Sequence, residues 1–352
     1  MVLSADRFCS LLNLLVRYLF NQYEKKMSQQ HLHIIGDSFV DLLAYLQDDW
    51  PTVGGDSRLL RPIEVQAGGS SNNTATQLRA LRSEVPVTVH TVWNPNDEHG
   101  KLLEDHAQTH GYTLVQCPSS PALATGQCLC IVAHGERSFM THLGCVGEFQ
   151  AEHVAMESMV SHVHIAGYYN IPGFWDGRLG CKLRELKEQR PSVVLSLVPQ
   201  HDESGVWDGG LAELYPLLDL LFVNEVEADH LSGGASNGTV EDKLAVWMSF
   251  FRDYHQLTVV VTLGSNGAVA LSGGAVVARV SPAPSVDVVD PTGAGDAFIA
   301  GFLHGWWLTP NTLQSALAWG CAVGSASVTV RGASTVPPRS TVEQLRQTMD
   351  GG

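Results

Sequence analysis

Asp290-Pro291-Thr292-Gly293-Ala294-Gly295-Asp296-Ala297-Phe298 is the stretch whose reading decides the fold. The apolar, β-branched run Val286–Val289 precedes it and predicts a strand; a helix-like run follows it through Trp307. A glycine-rich turn feeding a helix presents amides that lack intrahelical partners, together with the positive end of the helix dipole. Such a turn is an anion site, suited to a phosphoryl group in transfer. Gly293 and Gly295 allow close approach of the backbone. Asp296 sits in the first turn of the helix, where a carboxylate has two roles open to it. It can complement the dipole, or it can accept the proton of an attacking hydroxyl, a service worth about 10²–10⁴-fold in rate. No G-x-x-x-x-G-K-S/T loop occurs, and Phe298 stands where a dinucleotide fingerprint needs its third glycine.

Upstream, short apolar runs recur at Leu32–Gly36, Val85–Val92, His162–Ala166, Ser192–Leu197, Leu220–Val223 and Thr258–Thr262. Between them lie stretches with helical spacing: Asn73–Arg82, Gly100–His110, Arg178–Gln189 and Glu241–Tyr254. Apolar strands alternating with amphipathic helices predict an α/β fold with a mostly parallel sheet covered on both faces. Two stretches break the rhythm. Leu42–Gln66 is rich in turn residues, and Thr125–Gly144 reads as two strands, Gln127–Ala133 and Ser138–Leu143, around a His134-Gly135-Glu136 turn. Together they predict a small β-rich lid.

A second motif lies more than 200 residues before the first: Gly68-Gly69-Ser70-Ser71-Asn72-Asn73-Thr74-Ala75, about thirty residues after the first strand. It fits the pattern G-G-x-x-x-N-x-A. With Asp290–Phe298 in the expected order, the chain from about His31 to Pro337 resembles the ribokinase/PfkB family of carbohydrate and nucleoside kinases. The resemblance implies a ribokinase-like three-layer α/β/α domain over 31–345, with the lid from about 42–66 and 120–145. Residues 1–30 would be an N-terminal extension and 346–352 a tail.

The resemblance also implies roles. Asp296 would be the general base, with Gly293, Ala294 and Gly295 as the anion hole. Asp41 and Asn73 would hydrogen-bond substrate hydroxyls beside Gly68 and Gly69; a carboxylate accepts two sugar O–H bonds well. A solvated loop acid and a helix cap are the ordinary readings of those two polar residues. Asn224-Glu225-Val226-Glu227 resembles the N-x-x-E motif, which would place Glu227 near Mg²⁺ through water. Read by itself, the same spacing is a capped helix start. Thr262, Gly264 and Gly267 resemble the T-x-G-x-x-G turn beside the nucleotide, and a plain strand-to-strand turn is its ordinary reading. Asp290 and Thr292 match positions that help build a monovalent-cation site, completed by Val330–Ala333. ATP and Mg²⁺ are the implied cofactors, with K⁺ as an optional addition.

Departures narrow the substrate. Ser70 and Ser71 stand where ribokinases carry Lys in G-G-K-G, which argues against ribose. Ala166–Asn170 resembles nucleoside-kinase as well as sugar-kinase members, and Phe39 or Tyr168 could stack on a base or pack the lid. The expected partner is a small sugar or a nucleoside, and a homodimer through the lid is compatible with the resemblance. Arg137, at the hairpin turn of the lid, can reach a substrate or simply be solvated.

Composition agrees. The 352 residues are 44% hydrophobic and 16% charged, which suits a globular enzyme with a large core. A net charge of −15 argues against nucleic acid and anionic membranes as partners. The seven cysteines include no C-x-x-C pair and read as reduced thiols, hence a cytoplasmic location. Cys128, Cys130 and His134 alternate with the wrong spacing for zinc. Phe8–Phe20 is too short and too interrupted, by Arg17, to span a bilayer, and an organelle address in residues 1–30 stays open.

Overall fold

In the computed structural model, residues 31–47, 49–134, 136–155, 160–234, 238–283, 286–308 and 312–349 are described. The expected N-terminal extension, residues 1–30, lies outside them. The chain from Leu32 onward alternates as its apolar runs predict. β1 (Leu32–Gly36) is buried along its whole length because it lies in the middle of a sheet with both faces covered. Leu32 and Ile34 pack on one face, Ile35 on the other.

β4 (Val87–Thr91) and β5 (Thr113–Gln116) extend the sheet on one side of β1. β8 (His162–Ala166), β9 (Val194–Val198), β10 (Leu220–Asn224) and β11 (Thr258–Thr262) extend it on the other, all parallel. An antiparallel hairpin, β12 (Ala268–Ser272) and β13 (Ala275–Val280), ends a nine-stranded sheet. The chain therefore leaves β1 in opposite directions, and the crevice between the ends of β1 and β8 is a topological switch point, where open α/β sheets bind ligands.

One face carries α1 (Ser70–Leu81), α2 (Glu98–His110), α6 (Ala294–Leu308) and α7 (Leu313–Ser327), packed around Leu32, Ile34, Phe298 and Phe302. The other carries α3 (Arg178–Gln189), α4 (Glu225–Ser232) and α5 (Val240–Phe251), packed around Ile165, Leu183 and Trp247. α8 (Arg339–Thr348) lies on α7 through Val342 and Leu345 and runs past the expected boundary at 345. Three layers result.

A separate four-stranded sheet stands over the edge of the first. Its order is β3 (Glu64–Gly68), β2 (Phe39–Tyr45), β6 (Gln127–Ala133) and β7 (Glu136–His142). β2 and β6 are parallel; the outer pairs are antiparallel. The lid begins at Phe39, three residues before the stretch whose turn residues announced it. One row of cross-strand neighbours is Gln66, Asp41, Cys128 and Thr141; the next is Val65, Leu42, Leu129 and Met140, on the opposite face.

The strand expected at Val286–Val289 does not form. That run is irregular, and the amides of Val289 and Asp290 both donate to the carbonyl of Val328. Its β-branched residues suit a strand, yet no neighbouring strand is there to pair with them. Among the described residues, no helix is long and apolar enough to cross a membrane.

Candidate active site

The loops after β1, β8, β9, β10 and β11 open at the same edge of the sheet as the start of α6. Gly293, at φ 74°, makes the turn into that helix; a Cβ there would lie 2.5 Å from the Cβ of Ala333 and 2.7 Å from its Cα, so both the conformation and the space require glycine. The amides of Gly293, Gly295 and Asp296 have no hydrogen-bond partner among the described residues, whereas the Ala294 amide turns back to the Pro291 carbonyl at 3.3 Å. The open donors are thus 293, 295 and 296, one position different from the expected set. A Cβ built on Gly295 meets nothing within 4 Å.

Asp296, 5% exposed, receives three side-chain donors. Ser70 Oγ donates to Oδ1 at 2.7 Å, Gln200 Nε2 to Oδ1 at 3.2 Å, and Asn73 Nδ2 to Oδ2 at 2.9 Å. Burial pushes its pKa up to about 6, against the pull of those three donors. α1 supplies two of the donors because Gly69, at φ 85°, turns the chain from β3 directly into that helix; a Cβ at Gly69 would lie 2.7 Å from the Asp37 carbonyl.

Asp41 projects from β2 with its carboxylate directly against Gly68, where any Cβ would collide with it. Asp37 fills the crevice between β1 and β8. Its Oδ1 accepts from the Ser70 amide at 2.8 Å, its Oδ2 from Asn170 Nδ2 at 2.6 Å, and its side chain lies on Gly167. Burial first, then neighbouring carboxylates, raises both to about 7: Asp296 acts on Asp37, and Asp37, Asp296 and Asp290 act on Asp41. Asn73 Oδ1 is buried without a partner.

Asn224 ends β10 and caps α4. The amide of Glu227 donates to Asn224 Oδ1 at 2.8 Å, and Asn224's amide and Nδ2 donate to Glu227 at 3.0 and 2.8 Å. The capping box therefore exists, and the Glu227 carboxyl is still close enough to Asp296 for its charge, after burial, to help raise it to about 7. Thr262 pairs with Asn224 at the end of β11. Gly264 (φ 55°) and Gly267 (φ 88°) make the turn into β12, and a Cβ at Gly264 would meet nothing within 4 Å. Asp290 holds the amides of Thr292 and Gly332, both at 2.9 Å, so the Val330–Ala333 stretch does close this loop.

Two positions left open by the sequence take their packing and solvated alternatives. Phe39 and Tyr168 are buried in the core, and the Tyr168 hydroxyl donates to the Gly209 carbonyl at 2.6 Å, so neither ring is free to stack on a base. Arg137 is exposed and lies over the Phe139 ring, 6.0 Å from its centroid. Among the described residues, no cluster of three or more His, Cys, Asp or Glu is arranged to hold a metal ion. Sequence reasoning passed over Asp37, Ser70, Asn170 and Gln200. Ser70 and Asn170 lie inside stretches singled out above, Asp37 directly follows the first apolar run, and Gln200 follows the end of β9, an edge where ligand-contacting residues are expected.

The match to known proteins follows the same outline. Residues 29–340 fit the description pfkB family carbohydrate kinase. The chain belongs to the pfkB family. Members transfer a phosphoryl group to a hydroxyl, and this protein is such a phosphotransferase of the ATP-using carbohydrate and nucleoside kinases. It is 26% identical over 253 residues to an adenosine kinase of Dictyostelium discoideum, covering 68% of this chain and 73% of that one. It is 38% identical over 133 residues to fructoselysine 6-kinase of Escherichia coli, covering 38% of this chain and 45% of that protein. A ribokinase structure from Thermotoga maritima superposes with a TM-score of 0.70 at 22% identity, over 90% of this chain and 99% of that one, and shares the fold. In this pfkB protein the glycine pair, the lid carboxylate and the start of α6 meet in one cleft, which gives the family's two sequence signatures a common address.

Proposed function

We propose that this pfkB kinase transfers the γ-phosphoryl group of ATP to a hydroxyl of a small sugar or sugar derivative. The observation that carries the proposal is the meeting, in one cleft, of a buried carboxylate on α6, open amides at the start of the same helix, and the unpartnered carboxylate of Asp41. Substrate hydroxyls would bind Asp41 and the free Asn73 Oδ1, with Gly68 and Gly69 giving them room. Asp296 would take the proton as the acceptor oxygen bonds to phosphorus and the bond from phosphorus to the ADP oxygen breaks. The amides of Gly293, Gly295 and Asp296 would meet the charge on the moving group, where positioning and electrostatics are the main levers.

The donors suit Mg²⁺. Each Glu227 oxygen keeps a lone pair beyond its bond to Asn224, and Mg²⁺ favours few carboxylates plus water. The metal supplies charge neutralisation on the phosphates. Thr262, Gly264 and Gly267 would line the nucleotide side. For a monovalent cation, Thr292 Oγ1 is buried with only the Cys130 thiol close to it, an oxygen suited to ligation beside Asp290.

A sugar is favoured over a nucleoside because Phe39 and Tyr168 are committed to the core. Measuring kcat/KM for ATP-dependent phosphorylation of D-fructose, D-ribose and adenosine decides between them; turnover of adenosine alone would remove the sugar reading. A kinase-fold protein that only binds its ligand would turn over none of the three, and would bind one of them all the same. The lid row Val65–Leu42–Leu129–Met140, with Val65 47% and Met140 62% exposed, supports a homodimer through the lid, which sedimentation velocity would detect. Six free thiols among the described residues support a reducing, cytoplasmic setting.

A further inference from the structure

The three donors that reach Asp296 are unevenly shared between its two oxygens. Oδ1 accepts from both Ser70 and Gln200; Oδ2 accepts from Asn73 alone. Each oxygen of an ionised carboxylate offers about two lone-pair sites. Oδ1 is therefore filled by the protein, and Oδ2 keeps one site open. We propose that Ser70 and Gln200 are positioning residues that hold the Asp296 carboxylate through Oδ1, keep it ionised, and leave Oδ2 as the acceptor for the substrate's proton. The proposal rests on Asp296 being the base.

Both side chains are themselves held. The Ser70 amide donates to Asp37 Oδ1, the other oxygen of Asp37 accepts from Asn170, and the Ser71 hydroxyl donates to the Asp37 carbonyl. With its backbone pinned in the first turn of α1, Ser70 keeps its hydroxyl on Asp296. Gln200 adopts φ 64°, a left-handed conformation that side chains other than glycine seldom take. Residues held this way gather at functional sites, and here the result is an amide nitrogen 3.2 Å from Oδ1.

The need for such donors follows from what else faces Asp296. Asp37 from the end of β1, Asp41 from β2 and Glu227 from α4 interact with its charge, and all three are carboxylates. None of the hydrogen-bond donors on Asp296 among the described residues is a lysine, arginine or histidine. A buried carboxylate in acidic company would hold its proton and be useless as a base. Neutral donors are the means by which this protein opposes that, and burial still leaves the group near 6.

The test needs no substrate. The full-length protein is labelled with ¹³Cγ-aspartate, the Asp296 resonance is assigned by its loss in Asp296→Asn, and its titration is followed in the wild type, Ser70→Ala, Gln200→Ala and Ser70→Thr. Each alanine variant should raise the midpoint by about half to one pH unit, while Ser70→Thr, which keeps the hydroxyl, should titrate like the wild type. Thermal melts establish that each variant is folded. Titrations of both alanine variants that overlay the wild type would overturn the proposal, and so would a threonine variant shifted as far as the alanine one. Failure here is separable from failure of the base assignment: full turnover by Asp296→Asn removes the base, whatever the titrations show.

Discussion

Asp296 and Asp41 share a cleft and are treated in opposite ways. Both are pushed above the ordinary carboxylate range by burial, to about 6 and about 7. Asp296 is caged by donors from α1 and the loop after β9. The Asp41 carboxylate lies against the backbone of Gly68 and has no hydrogen-bond partner among the described residues. The difference fits the two tasks proposed for them. A group that moves a proton has to be aimed and kept ionised before the substrate arrives. A group that recognises hydroxyls has to be left bare so that the substrate supplies its hydrogen bonds, and the empty protein carries the strain of that bare charge.

The largest effect should come from the caged member. Asp296→Asn keeps the shape and removes the proton acceptor, so kcat should fall by about 10²–10⁴-fold with ATP affinity nearly unchanged. Single-turnover rates and an ATP titration check both halves, and wild-type kcat would erase the distinction drawn here. The wild-type pH profile has a definite sign. The proposed base would work only when ionised, so kcat/KM should rise with pH through an apparent midpoint near 6 and level off above it. Because Asp37, Asp41 and Glu227 titrate nearby, that midpoint belongs to the group of four.

The bare member should show a smaller kinetic effect and a stability effect of the opposite sign. Asp41→Asn would remove the proposed charge-assisted hydrogen bonds to substrate, each worth roughly 1.5–3 kcal/mol, so KM should rise about 10–100-fold with a lesser change in kcat. For stability, the folded-state pKa near 7 lies above the unfolded value of 3.8, so the folded protein binds the extra proton between those values. Stability then falls as pH rises through that window and stays low above 7. Asp41→Asn lacks this term and should be more stable than wild type at pH 8, by about 1–3 kcal/mol, with the gap closing toward pH 4. Urea unfolding at pH 5 and pH 8 measures it, and a variant less stable than wild type at pH 8 would break the comparison.

How far the cleft was legible follows the same division between local and long-range causes. The glycines that need a positive φ, 69 and 293, sit inside short motifs and could be read from a few residues. So could Asp41, Asn73, Glu227 and Asp296, because a resemblance to known kinases attaches to those motifs. Ser70 and Gln200 were invisible as partners of Asp296: they stand 226 and 96 residues away, and only the packing of α1 and the β9 loop against α6 joins them. The parallel strands were legible because central strands are apolar on both faces, as β1 and β11 are. Val286–Val289, three valines around Asp287, suits a strand by composition but has no neighbour, and a strand without a ladder is not one. The Phe39 and Tyr168 rings looked available for a base because a sequence does not say which side of the sheet edge a side chain will face.

The third carboxylate, Glu227, gives the smallest expected effect and the sharpest check on this division. Its oxygens are held by Asn224, three residues away and on the same helix start. If its placement is local, it should survive any change that preserves the cap. Asn224→Ser keeps a side-chain oxygen for the Glu227 amide and should cost only a few tenths of a kcal/mol, whereas Asn224→Ala loses the cap and should cost about 1 kcal/mol. Neither change touches a donor to Asp296, so the Asp296 titration should keep the wild-type set of hydrogen bonds in both variants. KM for Mg-ATP should then rise with the alanine and hardly move with the serine, tracking the cap. Equal increases in the two variants would mean that the Asn224 amide nitrogen itself serves the nucleotide, and the line between a locally held and a tertiary-held carboxylate would have to be redrawn at this residue.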